Sequence, residues 1–105
     1  MQTEHSRARR CSFIASIELT DLQSETQTKE QTSDLSLFGC HVDTLRPLAP
    51  GTKVRIKILH RGEHFEAPGK VAYARPNAGI RIVFSRIELN HQLVLYKWIA
   101  EPRDE

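Results

Sequence analysis

Apolar and charged residues alternate without interruption in the segment TKVRIKIL, residues 52–59. One side of this pattern is apolar and the other is charged; the two sets are Val54, Ile56 and Ile58, and Lys53, Arg55 and Lys57. A period of two residues is typical of a β-strand with one buried face. The same period recurs in residues 11–19 and in the segment IRIVF, residues 80–84. No helical pattern separates these segments, so a sheet of parallel strands joined by helices is excluded.

A helical pattern is found only near the C-terminus. Residues 85–88, Ser-Arg-Ile-Glu, match the capping box, in which a hydroxyl and a carboxylate bond free backbone amides. The following segment places Leu89, Leu93, Tyr96 and Ala100 at helical spacing, flanked by Leu95 and Ile99, which predicts a closing helix at about residues 86–100. About five to seven antiparallel strands with a helix at one end indicate an all-β fold, a small split or Greek-key-like barrel.

Three details of the strands are also predicted. The segment TDLQSETQTKEQTS, residues 20–33, has almost no apolar residue and is predicted to be a surface loop with strand character only at its ends. Pro68 and Gly69 interrupt a strand pattern at residues 64–75, which indicates an edge position or a bulge. The alternation predicts that Phe65, Tyr73 and Phe84 face inward.

A chain of 105 residues suits a single small domain with one core. Residues 1–10 lack periodicity and are interpreted as a flexible basic arm, and residues 11–105 as one barrel domain. The net charge of +2 is too small to indicate a nucleic-acid or membrane binder. Its distribution is more informative, because residues 1–10 carry a net +2 and residues 11–45 a net −5. A basic arm beside an acidic segment can create a local site for an anion.

The cellular location is predicted from features that the sequence lacks. No apolar run approaches the ~20 residues of a membrane span. The arginines near the N-terminus are not followed by the apolar segment of a secretory signal. Cys11 and Cys40 are the only cysteines, and we expect them to stay reduced and unpaired. These features predict a cytoplasmic protein that does not insert into a membrane.

A short motif lies in the stretch TSDLSLFGCHVDT, residues 32–44, where a polar segment leads into a strand. Asp34, Ser36 and Gly39 stand there at the spacing D-x-S-x-x-G. Such a trio is a turn signal, because aspartate and serine oxygens bond nearby backbone amides and glycine permits positive φ. Gly39 also interrupts the alternation, which indicates a bulge or a close backbone approach. The residues alone leave open whether the trio forms a turn or a binding site.

The setting of this motif resembles the PilZ family over nearly the whole chain. A basic arm and a first strand precede the motif, and NAGIRIVF and LNHQLVLYKWI follow it. The resemblance implies a six-stranded antiparallel barrel that binds the bacterial second messenger cyclic di-GMP. One family signature, D/N-x-S-x-x-G, is intact. The other, R-x-x-x-R, is altered: Arg10 stands at its second position and Ser6 at its first, within the run RARR at residues 7–10.

The resemblance also implies a role for each motif residue. Arg10 and one of the two arginines before it would close the arm over the guanines and phosphates of the ligand, as a guanidinium fork can. Asp34 would accept hydrogen bonds from guanine N1 and N2, Ser36 would bond the ligand, and Gly39 would let it approach the backbone. Alanine at Asp34 or Arg10 is expected to leave the stability of the free protein nearly unchanged. The predicted site comprises Arg7, Arg9, Arg10, Asp34, Ser36 and Gly39.

The predicted function is a non-catalytic cyclic di-GMP receptor or effector that needs no further cofactor. It would signal to a protein partner of unknown identity through ordering of the arm. The alternative is a degenerate PilZ-like adaptor that does not bind cyclic di-GMP and acts through protein contacts, as the altered R-x-x-x-R signature suggests.

Other classes of function have less support in the sequence. A binder of single-stranded nucleic acid needs several stacking aromatics on one strand face, and this chain offers few. No nucleophile–base pair, metal cluster or phosphate loop can be assembled, so no enzymatic activity is predicted. His60 and His64 flank a turn at Gly62 without cysteine or clustered acid partners, so no metal site is predicted there.

Overall fold

The computed structural model describes residues 9–102, in which seven strands are followed by one helix. The elements are β1 (Cys11–Ser12), β2 (Ser16–Asp21), β3 (Thr26–Leu35), β4 (Gly39–Asp43), β5 (Lys53–His60), β6 (Glu63–Arg75), β7 (Gly79–Phe84) and α1 (Leu89–Ala100). Most of the predicted arm, residues 1–8 with Arg7, lies outside the described residues.

The strands form one antiparallel sheet that closes on itself. Their order is β1-β3-β2-β5-β6-β7-β4, and β4 also pairs with β3. Closure depends on the length of β3, because its residues 26–31 pair with β2 while its residues 31–35 pair with β4. β1 only extends the sheet beside β3, so the closed barrel contains six strands. The prediction of a six-stranded antiparallel barrel with a C-terminal helix is confirmed.

The alternation in the strands separates the barrel interior from its outer surface. Val54, Ile56 and Ile58 are fully buried, whereas Lys53 before them and Arg55 among them are exposed. Every long strand contributes further core residues, among them Ile17, Leu35, Val42, Phe65, Val71, Ile80 and Ile82. Burying each large apolar side chain contributes about 1.5–3 kcal/mol, and this shared interior holds the six strands together.

The polar segment at residues 20–33 is a hairpin, and the prediction of a surface loop is wrong. β2 runs to Asp21, β3 begins at Thr26, and the two strands pair along the whole length of β2. In the turn between them, Asp21 Oδ1 accepts a hydrogen bond from the Gln23 amide at 2.9 Å. The segment forms a strand with almost no apolar residue because the backbone of β3 is hydrogen-bonded to neighbouring strands, to β2 over residues 26–31 and to β4 over residues 31–35.

β6 passes through Pro68 and Gly69 without a break. Up to Pro68 the strand pairs only with β5, and pairing with β7 begins at Gly69. Pro68 therefore occupies the predicted edge position. The sheet needs no hydrogen bond from its nitrogen there, so the absence of an N–H has no cost. Its carbonyl accepts a hydrogen bond from the Ser85 amide at 2.9 Å. The irregularity of β6 lies further along, between Val71 and Tyr73.

Helix α1 packs on the barrel with a different face from the predicted one. Its buried residues are Leu95 and Trp98. The predicted face is largely exposed, at 72%, 58% and 47% for Leu89, Leu93 and Tyr96. Trp98 sets the orientation because its large ring stacks on Phe13, with 5.4 Å between ring centroids. Within residues 9–102 no helix combines the length and apolarity needed to cross a membrane.

The predicted capping box at Ser85 does not form. The N-cap residue of α1 is Glu88, and its side chain makes no capping hydrogen bond. Ser85 lies four residues before the first helical residue, too far to cap the first turn, and its amide is bonded to the carbonyl of Pro68. The motif therefore marks the end of β7 and not the start of the helix.

Candidate ligand-binding site

The D-x-S-x-x-G motif connects β3 to β4 in a tight turn. Asp34 is the last but one residue of β3, and Gly39 is the first residue of β4. Ser36 closes the turn: its amide donates to the Gly39 carbonyl at 2.9 Å, and its Oγ accepts from the Phe38 amide at 3.2 Å. Ser36 and Gly39 therefore form a turn in the free protein, whereas the side chain of Asp34 takes no part in it and bonds Arg81.

Gly39 is required by the packing of β4 against β7. A Cβ placed on Gly39 would lie 2.1 Å from the carbonyl oxygen of Ile82, far inside van der Waals contact. The break in the alternation at Gly39 thus reflects a close approach of a neighbouring strand. The associated bulge lies earlier, where the register of β3 shifts between Thr32 and Asp34.

This first bulge turns Asp34 to the outer surface of the barrel. Thr32 is opposite Val42 in the β3–β4 ladder, and Asp34, not Ser33, is opposite His41. Without the extra residue, Ser33 would take the position that Asp34 occupies. β-Bulges commonly redirect a side chain next to a functional site, and here the bulge presents the carboxylate of the motif.

A second bulge, in β6, turns the side chain of Tyr73 to the outer surface of the barrel. Val71 is opposite Ile82 in the β6–β7 ladder, and the register shift then places Tyr73, not Ala72, opposite Arg81. The prediction that Tyr73 faces inward is therefore wrong, because the bulge reverses the alternation along β6. The two phenylalanines with the same prediction are buried.

The two bulges complete a row of side chains across four neighbouring strands. His41 lies opposite both Asp34 on β3 and Arg81 on β7, and Arg81 lies opposite Tyr73 on β6. Residues directly opposite each other in an antiparallel ladder point to the same face. Asp34, His41, Arg81 and Tyr73 therefore stand side by side on one outer face of the barrel.

Arg81 is the central charge of this row. Its Nη2 donates to Asp34 Oδ2 at 2.8 Å, and the two side chains are 8% and 25% exposed. Burial alone would lower the pKa of Arg81, but hydrogen bonds with Asp34 and Tyr73 outweigh it, and the pKa is raised. The hydrogen bond with Arg81 is also the main cause of the lowered pKa of Tyr73, to which the charge of Arg10 adds. Arg81 is thus a permanent cation whose position is fixed.

A cavity of about 230 Å³ adjoins the arm, the turn and this row. Residues from all three parts line it, including Arg10, Ser36, Phe38, Gly39, Tyr73 and Arg81. Of the other predicted site residues, Arg9 is exposed and does not line the cavity, and Arg7 lies outside the described residues. Asp34 is not a wall residue but is bonded to one, Arg81. The structure therefore brings Arg10, Ser36 and Gly39 together.

The charges of this cavity suit an anion. A different cavity, of about 240 Å³, lies where β3 and β4 meet the turn between β6 and β7. The carboxylates of Glu30 and Asp43 line it, and no lysine or arginine is found among its described wall residues. Because like charges repel and opposite charges attract, a phosphate-bearing ligand favours the cavity with Arg10 and Arg81.

Two residues of the cavity wall, Arg81 and Tyr73, were not predicted from the sequence. A signal for Arg81 was present, since it is the one charged residue within the apolar segment IRIVF. An arginine is rarely buried without an acidic partner, and that rule would have prompted a search for Asp34. No such signal exists for Tyr73, because its orientation depends on a bulge.

Several histidines lie close to acidic side chains near α1, an arrangement that can bind a metal ion. His60 Nε2 lies 3.1 Å from Glu101 Oε1. The ligand atoms of His64, Glu66 and His91 lie within 4.8 Å of one another. However, His91 Nδ1 accepts a hydrogen bond from the Glu66 amide at 3.2 Å, which in neutral imidazole places the ring proton on Nε2. A histidine that binds a metal normally donates a hydrogen bond from its other ring nitrogen. Nδ1 of His91 instead accepts a hydrogen bond from the backbone of β6, so His91 covers the edge of that strand.

The two cysteines are free and buried. Leu35 lies between them in the sheet, opposite Cys11 on β1 and opposite Cys40 on β4. Burial raises the pKa of Cys40 to about 12, so this residue is a thiol at neutral pH and not a reactive thiolate. Cys40 therefore contributes to the core.

Similar structures carry the same barrel. The PilZ domain of CeSA from a cellulose-synthesizing bacterium is 20% identical with a TM-score of 0.71, over 87% of this chain and 94% of that one. The PilZ domain of YcgR from Escherichia coli, solved with c-di-GMP, is 17% identical with a TM-score of 0.68, over 89% and 87%. The inhibitor of motility MotI/DgrA from Bacillus subtilis is 16% identical with a TM-score of 0.66, over 88% of this chain but only 47% of that one.

The sequence itself gives the family. No curated protein sequence matches the chain. The family model described as the PilZ domain matches residues 3–101, nearly the entire chain, and includes the arm, the D-x-S-x-x-G turn and the helix. The protein belongs to the PilZ domain family.

Proposed function

We propose that this PilZ domain is a receptor for cyclic di-GMP that binds its ligand in the cavity beside the D-x-S-x-x-G turn. The observation that carries the proposal is the meeting of Arg10 from the arm and Arg81 from the barrel wall at one cavity, next to the ring of Tyr73. The ligand bears two phosphates and two guanines, and this cavity offers cations for the phosphates and an aromatic face for a base. The similar YcgR domain was solved with c-di-GMP, which adds support.

Each group has a definite interaction to offer. A guanidinium donates charge-assisted hydrogen bonds to phosphate or guanine, each contributing about 1.5–3 kcal/mol. Stacking of a base on an aromatic ring contributes about 1–3 kcal/mol. Asp34 accepts hydrogen bonds from guanine N1 and N2, and Ser36 and Gly39 line the cavity where the ligand passes the turn.

The arm supplies the conformational response. Arg10 is exposed and directly precedes β1, so the arm can close over a ligand while the barrel stays unchanged. Arg7 and Arg9 would follow Arg10 onto the ligand. In this chain the shifted spacing RARR is offset by Arg81, a cation on the fixed wall. Closure alters the surface around the cavity, and a protein partner binds the altered surface.

The proposed module is a cytoplasmic sensor and not an enzyme. The comparisons indicate no catalytic family. The adaptor hypothesis remains as a second candidate, because Arg81 already occupies one oxygen of Asp34 and the R-x-x-x-R spacing is altered. Such an adaptor would bind its protein partner without any response to the nucleotide.

Isothermal titration with cyclic di-GMP at physiological salt distinguishes the two hypotheses. For a receptor we expect micromolar or tighter binding by the wild-type protein. Arg10→Ala should weaken binding by about 10- to 30-fold, the loss of one charge-assisted contact of about 1.5–2 kcal/mol. The control is Arg46→Ala, which removes an exposed arginine that does not line the cavity. No heat of binding with a folded wild-type protein would contradict the receptor and favour the adaptor.

A further inference from the structure

We propose that Asp34 and Arg81 together read the Watson–Crick edge of a guanine, with Arg81 as the residue that determines the preference for guanine over adenine. The inference rests on the proposed function and adds to it a specificity residue outside the D-x-S-x-x-G motif. Asp34 supplies two carboxylate oxygens, one of which already accepts a hydrogen bond from Arg81 Nη2 and can accept a second, and Arg81 supplies a donor beside them. Acceptor, acceptor, donor is the order that cytosine presents to guanine in a base pair.

The ion pair between these residues is incomplete in a way that suits a base. Arg81 Nη2 bonds Asp34 Oδ2 at 2.8 Å. Asp34 Oδ1 and Arg81 Nε are buried and have no hydrogen-bond partner in the part of the chain that the structure describes. One acceptor and one donor of the same pair thus lack a partner, and because both atoms are buried, a base reaches them only when the pair opens toward the cavity. Buried polar groups without partners are uncommon in proteins and call for an explanation, and a ligand with both a donor and an acceptor would satisfy them.

The edge of guanine matches this pair, and the edge of adenine opposes it. Guanine offers the N1 and N2 hydrogens to the carboxylate of Asp34 and the O6 acceptor to the guanidinium of Arg81. Adenine places its N6 amino group where O6 would be and an unprotonated N1 where a donor is needed. Both of its groups would face a partner of the same kind. A site that leaves its own polar groups unpaired rejects a ligand strongly.

Arg81 is better placed than the arm to discriminate between bases. Its side chain is 8% exposed and rises from β7 in the closed barrel. Asp34 Oδ2 accepts a hydrogen bond from its Nη2 at 2.8 Å, and Tyr73 stands opposite it in the β6–β7 ladder, so the direction of its fork is restricted. Arg10, in contrast, is exposed at the end of the arm. Recognition of a base requires donors held in a defined geometry. Arg81 on the barrel wall therefore determines which base is bound, and Arg10 on the arm contributes affinity.

The test is a titration series with three cyclic dinucleotides: cyclic di-GMP, cyclic di-AMP, and a cyclic di-GMP analogue with sulfur in place of guanine O6. Sulfur is a weak acceptor, so wild-type protein should bind the thio analogue about tenfold more weakly. Arg81→Gln should lose about tenfold or more in affinity for cyclic di-GMP but little for the thio analogue. Its preference for cyclic di-GMP over cyclic di-AMP should fall at least tenfold. Arg55→Gln, an exposed arginine outside the cavity, should match the wild type.

The possible outcomes separate this inference from the proposed function. Equal losses for cyclic di-GMP and the thio analogue would mean that Arg81 only positions Asp34, and would overturn the inference while leaving the receptor intact. Unchanged or tighter binding by Arg81→Gln would overturn it as well. No binding by the wild-type protein would overturn both. Should Arg81→Gln unfold, the side-chain Nε–H resonance of Arg81 in ¹⁵N-labelled wild-type protein must shift with cyclic di-GMP and less with the thio analogue; equal shifts would contradict O6 contact.

Discussion

Replacement of Asp34 by alanine is expected to weaken cyclic di-GMP binding by at least about 30-fold and to destabilise the free protein. A 30-fold loss corresponds to about 2 kcal/mol, the contribution of charge-assisted hydrogen bonds from one carboxylate. The stability falls because Arg81, which is 8% exposed, loses its acidic partner. A buried hydrogen-bond donor left without its partner costs about 1–3 kcal/mol, and a charged one costs at least as much. The sequence alone predicts no such loss, because the motif gives no sign of Arg81.

Titration and thermal unfolding measure the two effects separately. A loss of 1–3 kcal/mol lowers the midpoint of unfolding of a domain of this size by roughly 5–20 °C. Asp43→Ala is the matched control, since this carboxylate on β4 is 55% exposed and its removal should change stability by less than about 0.5 kcal/mol. If Asp34→Ala lowers the midpoint but binds cyclic di-GMP as the wild type does, Asp34 supports the barrel only and its role in the ligand site is wrong.

Replacement of Gly39 by alanine is expected to destabilise the barrel by about 3 kcal/mol. The added Cβ would lie 2.1 Å from the carbonyl oxygen of Ile82 on the neighbouring strand. Backbone atoms cannot move aside as a side chain can, so β4 and β7 must separate locally. Overpacking of this kind costs about 1–3 kcal/mol and sometimes more. Thermal or denaturant unfolding in the absence of ligand measures the loss.

Gly62→Ala is the comparison in which the added methyl group meets no other atom, although the positive φ of Gly62 adds a backbone penalty that Gly39 does not carry. Gly62 has a φ of 80° but nothing within 4 Å of its added Cβ, so its substitution carries only the backbone penalty. We expect that penalty to be about 1 kcal/mol, well below the effect at Gly39. A Gly39→Ala protein with normal stability and lost cyclic di-GMP binding would show that the glycine serves the ligand and not the fold.

The fold could be predicted from the sequence because most strands bury one face. The period of two in residues 53–58 and 80–84 identifies strands that line a common interior. The hairpin at residues 20–33 escaped prediction, because its pairing comes from backbone hydrogen bonds that leave no pattern in the side chains. The face of α1 was misjudged because leucines and an aromatic lie on several sides of the helix, and only packing against Phe13 selects Trp98.

The site was only partly predictable, because it depends on two irregularities in the sheet. The motif predicted Asp34, Ser36 and Gly39 and the arm predicted Arg10; three of these line the cavity, and Asp34 bonds Arg81 on its wall. The bulges in β3 and β6 decide which residues share a row with Arg81, and a one-residue shift exchanges the two faces of a strand. Neither bulge leaves a mark in the residue pattern that would place it in advance.

The most direct test of the ligand site is the amide ¹H–¹⁵N spectrum of labelled wild-type protein during titration with cyclic di-GMP. We predict that the largest shifts fall on Arg10, Tyr73, Arg81 and the turn at residues 36–39, with small shifts at residues 43–45 beside the acidic cavity. Such a pattern would place the ligand in the cavity between arm and wall. No shifts at saturating ligand, or shifts concentrated at residues 43–45, would contradict the account.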